Sequence, residues 1–297
     1  MSEQTSFGYV ALVGLPNAGK SMLMNSVLGT KIAIVSPKVQ TTRRRILGVF
    51  VKDETQIAFL DTPGVFTPRT RLGHSMMNIT LQALQEADLV CLVVDAARKR
   101  FEGHEKLFEL AKRSNRPLCV ILNKTDIAPK DKLLPLAKTI SETYGINDVF
   151  MISALRPKGT PEMIQFIQQK MPKGPWLFEE DDLTDLSFNE LAAEFTREKL
   201  FTFLHEEIPY GLMVQHELWQ EETPGKVDIH QRIVVEKATH KGIVLGHNGS
   251  LIKRVRLTAQ KDLRELIQKK VKLHLHVVVK EDWQNKAQYF HDQGLEF

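Results

Sequence analysis

No stretch of this chain approaches the roughly 18–20 consecutive apolar residues that a membrane-spanning helix needs, so no transmembrane helix is expected. Cysteine is nearly absent. The only two, Cys91 and Cys119, sit inside apolar runs and read as reduced core residues, which excludes a disulfide-built scaffold. There is no low-complexity tract and no repeat period, so neither a disordered chain nor a solenoid is indicated. The opening MSEQTSFGYVALVG lacks a basic flank followed by an apolar stretch. No signal peptide is expected from it, and the cytoplasm is the default compartment. A formal net charge of +4 is too small to name a partner.

What is there is unevenly distributed. Ten Lys and Arg residues lie between Lys237 and Lys272, opposed only by Asp262 and Glu265, while Glu179–Asp182 is an acidic run near mid-chain. A one-sided excess of this kind suggests a polyanionic partner.

At 297 residues the chain has room for about two domains. Up to residue 172, short β-like runs alternate with helical patterns. YVALVG ends in glycine and leads into a helix from Lys20 to about Leu28. RILGVFV and QIAFLDT flank a turn at Asp53 and Glu54 and read as a hairpin. DLVCLVVDA, PLCVILNK and DVFMISA are nearly continuous apolar runs, as in strands buried on both faces. Helices are expected at about 102–115, 129–144 and 159–171. The order β-α-β-β-α-β-α-β-α predicts an α/β fold, a doubly wound, mostly parallel sheet with one antiparallel edge strand. Pro172-Lys173-Gly174-Pro175 breaks the last helix. The expected division is a first domain at 1–172, an acidic linker at 173–188 and a second, smaller domain at 189–297. In the latter a helix at about 188–206, two strands, a Gly-containing loop, a helix at about 250–269 and the strand VKLHLHVVV give the order α-β-β-α-α-β.

Gly14-Leu15-Pro16-Asn17-Ala18-Gly19-Lys20-Ser21 fits G-x-x-x-x-G-K-[ST] between a predicted strand and a predicted helix. Backbone N–H groups there can wrap phosphate oxygens, with the positive end of the helix dipole beneath them. Lys20 would neutralise the β- and γ-phosphates, and Ser21 would ligand Mg2+. The pattern arises by chance on the order of once per hundred chains of this length, so a bare Gly-rich turn is a weak competitor. Asp61-Thr62-Pro63-Gly64 closes the hairpin's second strand. There an acid can hold Mg2+ through water, and the Gly64 N–H can reach a γ-phosphate. Asn123-Lys124-Thr125-Asp126 follows PLCVIL. The Asp126 carboxylate can accept from the two donors of guanine, which adenine lacks. Lys124 can lie over the base, and Asn123 can brace the phosphate loop. Ser153-Ala154 would offer a backbone N–H to guanine O6. Alone, each of the last three is a turn after a strand; in order on successive strand ends they point to GTP.

These residues resemble the translation-factor-like GTPases, most closely the TrmE–Era group, over about 1–172. The resemblance implies that Gln40-Thr41-Thr42-Arg43 lies in a first switch loop, with Thr42 favoured over Thr41 as the residue that ligands Mg2+ only while the γ-phosphate is present. A second switch would begin at Asp61 and run through the polar, mobile-looking segment 65–78. Val65-Phe66 stands where many GTPases place a water-orienting glutamine, so intrinsic hydrolysis is expected to be slow. In the resembled group an asparagine at the position of Asn17 can ligand a potassium ion in place of an arginine finger; the alternative is that Asn17 only shapes the loop. Lys20, Asn17, Thr42 and Gly64 are thus the expected catalytic groups. Ser21, Thr42 and Asp61 are the expected metal set. Arg43, Arg44 and Arg45 could be fingers in cis or a basic, solvent-exposed loop that contacts RNA.

Ile243-Val244-Leu245-Gly246-His247-Asn248-Gly249-Ser250-Leu251-Ile252 resembles the type II KH-domain signature. A bare GxxG is weak, since about one is expected by chance in such a chain. The α-β-β-α-α-β order, the flanking aliphatics and Lys253, Arg254 and Arg256 just after it raise its weight. KH domains clamp about four nucleotides against such a loop, so Gly246, His247, Asn248, Gly249, Lys253, Arg254 and Arg256 are the expected RNA contacts. The pairing of domains, including Arg197-Glu198-Lys199-Leu200 and Ile208-Pro209-Tyr210, resembles the KH-domain GTPases of ribosome assembly. That resemblance implies binding to the 3′ end of small-subunit rRNA, a role in assembly of the 30S subunit, some peripheral membrane association and a monomeric state. His247 and Asn248 lack the lysine often found in that loop, and Leu186 stands where an arginine is usual. The alternatives are a constitutive RNA-binding protein with a structural first domain, and an RNA-modification GTPase. His274 and His276, spaced for one strand face, read as a surface pair. Trp176, Trp219 and Trp283 read as packing residues.

Overall fold

The computed structural model describes residues 5–38, 41–68, 70–98, 103–156, 158–205, 208–287 and 289. The chain divides into two compact units. Met1–Ala33, Thr42–Arg69 and Gly73–Asp185 form the first; Ile34–Thr41, Thr70–Leu72 and Leu186–Phe297 form the second.

The first unit is built from β1 (Ser6–Gly14), α1 (Lys20–Leu28), β2 (Ile46–Lys52), β3 (Thr55–Asp61), α2 (Arg71–Glu86, from Gly73 on), β4 (Leu89–Asp95), α3 (His104–Arg113), β5 (Leu118–Asn123), α4 (Lys130–Tyr144), β6 (Val149–Met151) and α5 (Thr160–Lys170). The sheet order is β2-β3-β1-β4-β5-β6, with only β2 antiparallel to its neighbour. Residues of both strand faces are buried. Ala11, Val13, Leu60, Leu92 and Leu122 pack with Ala83, Leu107, Phe108 and Ile140, while the alternate Val10, Leu12, Phe59, Cys91 and Ile121 are equally hidden. This explains why the strands read as unbroken apolar runs.

Of the eleven elements the sequence reading named ten, all but α2. The sequence reading assigned no helix to 65–78, where α2 begins at Arg71. Its apolar stripe, Met76, Ile79 and Ala83, is buried at helical spacing but diluted in sequence by His74, Ser75 and Asn78. Cys91 and Cys119 pair across β4 and β5 with sulfurs 3.4 Å apart. The Cys119 contact and burial push the Cys91 thiol well above its ordinary pKa, which keeps it a neutral core group.

Residues 173–183 are strapped along the first unit. Thr5 and Gly174 exchange hydrogen bonds, and the Val49 N–H donates to the Leu183 carbonyl. At the centre lies Gln56, fully buried, whose Oε1 accepts from Leu177 and Phe178 N–H at 3.1 and 3.0 Å while its Nε2 donates to the Phe178 carbonyl at 2.8 Å.

The second unit contains α6 (Phe188–Phe203), β7 (Leu212–Thr223), β8 (Lys226–Val235), α7 (Ala238–Leu245), α8 (Ser250–Ile267) and β9 (Lys270–Val279), in the expected order. Ser187 and Glu190 form a capping box that starts α6. The sheet runs β7-β8-β9, antiparallel then parallel. Its core joins Ala192, Phe195, Ile229, Ala259, Leu263 and Leu273, with a second cluster around Leu200, Leu212, Ile233, Val255 and Val277. Leu186 is buried, which accounts for an apolar residue at that position. Trp283 is fully buried, and Trp219 stacks with Phe188. His274 stacks on His230 at 4.3 Å, and His276 faces Glu217 at 3.3 Å. Among the described residues no helix is long and apolar enough to cross a membrane.

Replacing Gln56 by leucine strands two backbone donors and one acceptor of the strap. It should cost about 2–3 kcal/mol in urea unfolding of the sheet unit and accelerate proteolytic cleavage within 176–183.

Candidate functional site

The phosphate loop leaves β1 where the sheet order reverses, beside β3 on one side and β4 on the other. In open α/β sheets ligands bind at such a point, outside the carboxyl ends of the strands. Asp61, Asp95 and Asn123 close β3, β4 and β5 at that same edge, and Ser153 follows β6.

Gly14–Ser21 wraps over this edge into α1. Asn17 lies at an exposed position with φ 64°, and Gly19 has φ 95°. A Cβ on Gly19 would fall 2.3 Å from the Asn123 Nδ2, so only glycine permits this approach. Lys20 is buried, with its ammonium 3.4 Å from the Gly14 and Leu15 carbonyls. Burial pushes its pKa down, partly offset by the charge of Asp61.

Asp61 is fully buried. Burial raises its pKa, against the opposing pull of Lys20 and of the Ser21 and Thr42 hydroxyls. Ser21 donates to Asp61 Oδ2 at 2.6 Å and Thr42 to the same atom at 3.2 Å, and the two hydroxyls are 3.0 Å apart. Asp61 Oδ1 is buried without a hydrogen-bond partner. Two hydroxyls and a carboxylate with an unused acceptor make an all-oxygen set that fits a hard divalent cation of the Mg2+ type. The structure brings Thr42 rather than Thr41 to this set; the Thr41 hydroxyl donates instead to the Lys38 carbonyl at 2.7 Å. Gln40 lies outside the described residues.

Thr62 donates to the Leu12 carbonyl, Thr80 donates to the Pro63 carbonyl, and Gly64 approaches Pro16. Val65 is buried with Leu15 in the core, so an apolar wall stands after Gly64. The reading of Arg43–Arg45 as a solvent-exposed basic loop is corrected for Arg43, which is buried, and Arg45 pairs with Glu86 at 2.6 Å.

On the other side of the loop, Asn123 Nδ2 donates to the Ala18 carbonyl at 2.9 Å. Its Oδ1 accepts from the Lys124 and Ala154 N–H groups at 2.8 and 2.9 Å. The Ala154 N–H, expected to face a base, is thus engaged by Asn123 in this structure, and the Ser153 N–H is bonded to the Lys158 carbonyl. Ser153 acts through its hydroxyl, which donates to Asp126 Oδ1 at 2.7 Å. Lys124, at φ 65°, is held by Asp95 at 2.6 Å. Sequence reasoning missed both partners. Asp95 ends an apolar strand in register with Asn123, a position that a carboxylate occupies only with cause.

In the second unit Gly246-His247-Asn248-Gly249 links α7 to α8, with positive φ at Gly246, Asn248 and Gly249. A Cβ at Gly246 would stand 2.7 Å from that of Leu251, so glycine is required there too. His247 and Asn248 are exposed, as are Lys253 and Arg254, while Arg256 is half-buried. The Arg254 guanidinium lies 4.3 Å over the Phe203 ring. Ile243 is 48% exposed beside the loop, an unusual exposure for isoleucine that supplies an apolar floor. The basic excess read from sequence is partly neutralised: Lys261 meets Glu265, Lys269 meets Glu221 and Lys272 meets Asp228.

A guanine-reading loop beside a phosphate loop, followed by a GxxG helix pair on a three-stranded sheet, defines a P-loop GTPase that carries a KH domain. The profile of the family described as 50S ribosome-binding GTPase matches residues 9–124, and that of the KH domain matches 207–284. GTPase Era of Brucella suis is 40% identical over 294 residues, 99% of this chain and 94% of that protein. GTPase Era of Sinorhizobium medicae is 41% identical over 293 residues, with the same coverage. The chain belongs to the Era family of GTPases. Among solved structures, a variant of Aquifex aeolicus Era bound to GDP·AlF4− superposes with TM-score 0.94 at 37% identity, covering 99% of this chain and 100% of that one. Era in complex with MgGDPNP and nucleotides 1506–1542 of 16S ribosomal RNA gives 0.92 at 37% identity, with the same coverage.

Removing the Ser153 hydroxyl by Ser153→Ala frees the Asp126 carboxylate to turn. Guanine-nucleotide affinity, read by fluorescence titration with labelled GDP, should fall about ten-fold, the low end for one lost hydrogen bond to a charged group.

Proposed function

We propose that this chain is a GTP-hydrolysing switch that binds the 3′ end of small-subunit (16S) ribosomal RNA and acts, as a cytoplasmic monomer, in assembly of the small ribosomal subunit. Residues 1–172 carry the nucleotide work, 173–188 link, and 189–297 bind RNA. The observation that carries this reading is the Asn123–Asp126 loop, braced on the phosphate loop through Ala18, on the same chain as a GxxG helix pair with cationic residues at its start. The likeness to an Era structure that holds both MgGDPNP and a 16S segment supports it.

Asp126 accepts the two guanine donors, steadied by Ser153, and Lys124 flanks the base while Asp95 fixes its ammonium. The N–H groups of Gly14–Ser21 and the N-terminus of α1 surround the phosphates. Ser21 and Thr42 would hold Mg2+, with Asp61 behind them; when bound it neutralises phosphate charge. Lys20 supplies positive charge where the loose transition state of phosphoryl transfer gathers negative charge. Binding of the triphosphate reverses the burial penalty on Lys20 by giving its ammonium an anion. Gly64 supplies an N–H towards the γ-phosphate. Val65 cannot orient water, so intrinsic turnover is slow. Asn17, exposed in the phosphate loop, would ligand K+. Hydrolysis in KCl should then exceed that in NaCl by at least about ten-fold, short of the ~10²–10³ that one well-placed transition-state contact can supply. Asn17→Ala should erase the difference, and equal rates for the wild type in both salts would remove this role.

Gly246, His247, Asn248 and Gly249 let RNA phosphates approach, with Lys253, Arg254 and Arg256 adding salt-dependent affinity. Filter-binding titration of an rRNA 3′-end oligonucleotide should give tighter binding with a GTP analogue than with GDP. An affinity indifferent to nucleotide would instead favour a constitutive RNA binder.

A further inference from the structure

Ile34–Thr41, the first part of the loop between α1 and β2, belongs to the second unit, and helix α6 holds it at four points. Ile34 is buried among Ala192, Phe195, Ala259 and Leu263. The Val35 N–H donates to Glu198 Oε1 at 2.9 Å. The Lys38 ammonium donates to the Phe201 and Leu204 carbonyls, at the negative end of α6. The Thr41 carbonyl accepts from Arg197 Nη2 at 2.6 Å, and Glu194 fixes that guanidinium through Nε at 3.0 Å.

The contact does not stop at α6. Glu198 Oε2 accepts from Lys199 at 3.0 Å, and the same ammonium reaches Asp262 of α8 at 2.5 Å. Helix α8 is the one that starts at the GxxG loop. At the other end of the segment, the residue after Thr41 is Thr42, whose hydroxyl meets Ser21 and Asp61. Adjacent residues of one loop are therefore fixed by α6 and by the metal-side oxygens.

Arg197 and Glu198 are only 3% and 5% exposed. Charged side chains seldom accept such burial without a use, and here each spends a hydrogen bond on the backbone of this loop. A loop that orders at Thr42 only with the γ-phosphate would be completed on α6 in that state alone.

We propose that Arg197 and Glu198 are positioning residues that form a latch for segment 34–41, and that Glu198–Lys199–Asp262 extends the latch to the RNA-binding helix. Nucleotide state reaches the RNA surface by this path. The inference deepens the proposed function and rests on it for its RNA consequence.

The test uses the full chain as wild type, Arg197→Gln, Glu198→Ala and Lys38→Ala. Lys38→Ala removes a contact made from the loop side and leaves every side chain of α6 in place, so it guards against misfolding. Hydrogen exchange over 34–41 with a GTP analogue bound is the first readout. Exchange should rise at least several-fold in each variant, and unchanged protection in all three would overturn the latch whatever the RNA result. The second readout is the GTP-analogue over GDP ratio of affinities for the 3′-end oligonucleotide. That ratio should fall at least about five-fold in the variants, the lower end of usual couplings, with GDP affinity within about two-fold of wild type. A wild-type ratio of one would sink the switch reading itself. A wild-type ratio above one, retained in all three variants, would sink the latch and leave the switch standing.

Discussion

The nucleotide site depends on one buried carboxamide. Asn123 donates to the Ala18 carbonyl and accepts from both Lys124 and Ala154, so three loops from three strand ends share one side chain. Each loop by itself is a connection with no core of its own. Joined through Asn123, they hold the Gly14–Ser21 loop, the Asn123–Asp126 loop and the Ser153–Ala154 turn together. The close approach also explains a remote requirement: the carboxamide sits where a Cβ of Gly19 would be, so the glycine of the phosphate loop serves the guanine loop as well as the phosphates. Aspartate is the nearest isostere of Asn123, but it would set a carboxylate oxygen against the Ala18 carbonyl, where the amide donates.

The metal-side cluster is built the opposite way, with its demands left open. Asp61 is fully buried beside Lys20, yet burial dominates both groups, pushing the acid up and the amine down. Folding alone therefore leaves opposite charges poorly solvated and only partly compensated. A ligand that brought a divalent cation to the carboxylate and phosphate oxygens to the lysine would satisfy both. The apolar side chains of Leu15 and Val65 pack with the core and can orient no attacking water.

Much of this was legible because the chemistry lies in short, ordered motifs on strand ends. The phosphate loop, the Asp61 tetrad and Asn123–Asp126 could be placed by reading where apolar runs stop. Elements held by distant partners were not legible. Helix α2 hides its stripe among polar residues. The strap at 173–183 looks like an acidic linker because its bonds run from backbone groups to one glutamine 121 positions away. Asp95 and the Ser153 hydroxyl act only across strand pairs and loop ends that periodicity cannot register. The partners of the basic stretch from Lys237 to Lys272 were hidden for a related reason. Its opposing carboxylates, Glu221 and Asp228, come from neighbouring strands, and they leave the cationic character concentrated at the start of α8.

Arg197, Glu198 and Lys199 would pass in sequence for a solvated helix face, yet two of them are nearly as buried as the core. Their setting bounds how strongly nucleotide and RNA can be coupled. Segment 34–41 is anchored by one deeply buried aliphatic, Ile34, and a few hydrogen bonds to charged groups. Each such bond contributes about 1.5–3 kcal/mol gross, against about 1–2 kcal/mol per residue to order the backbone. Over the described residues of this segment these nearly cancel, which is the condition for a segment that docks or releases in response to a single added ligand. A heavily apolar segment would stay docked in every nucleotide state, and a wholly polar one would dock in none. The coupling available is then the small remainder, on the order of 1–3 kcal/mol. Control of RNA binding through this path is graded, a shift in affinity of about one to two powers of ten rather than a gate that shuts completely.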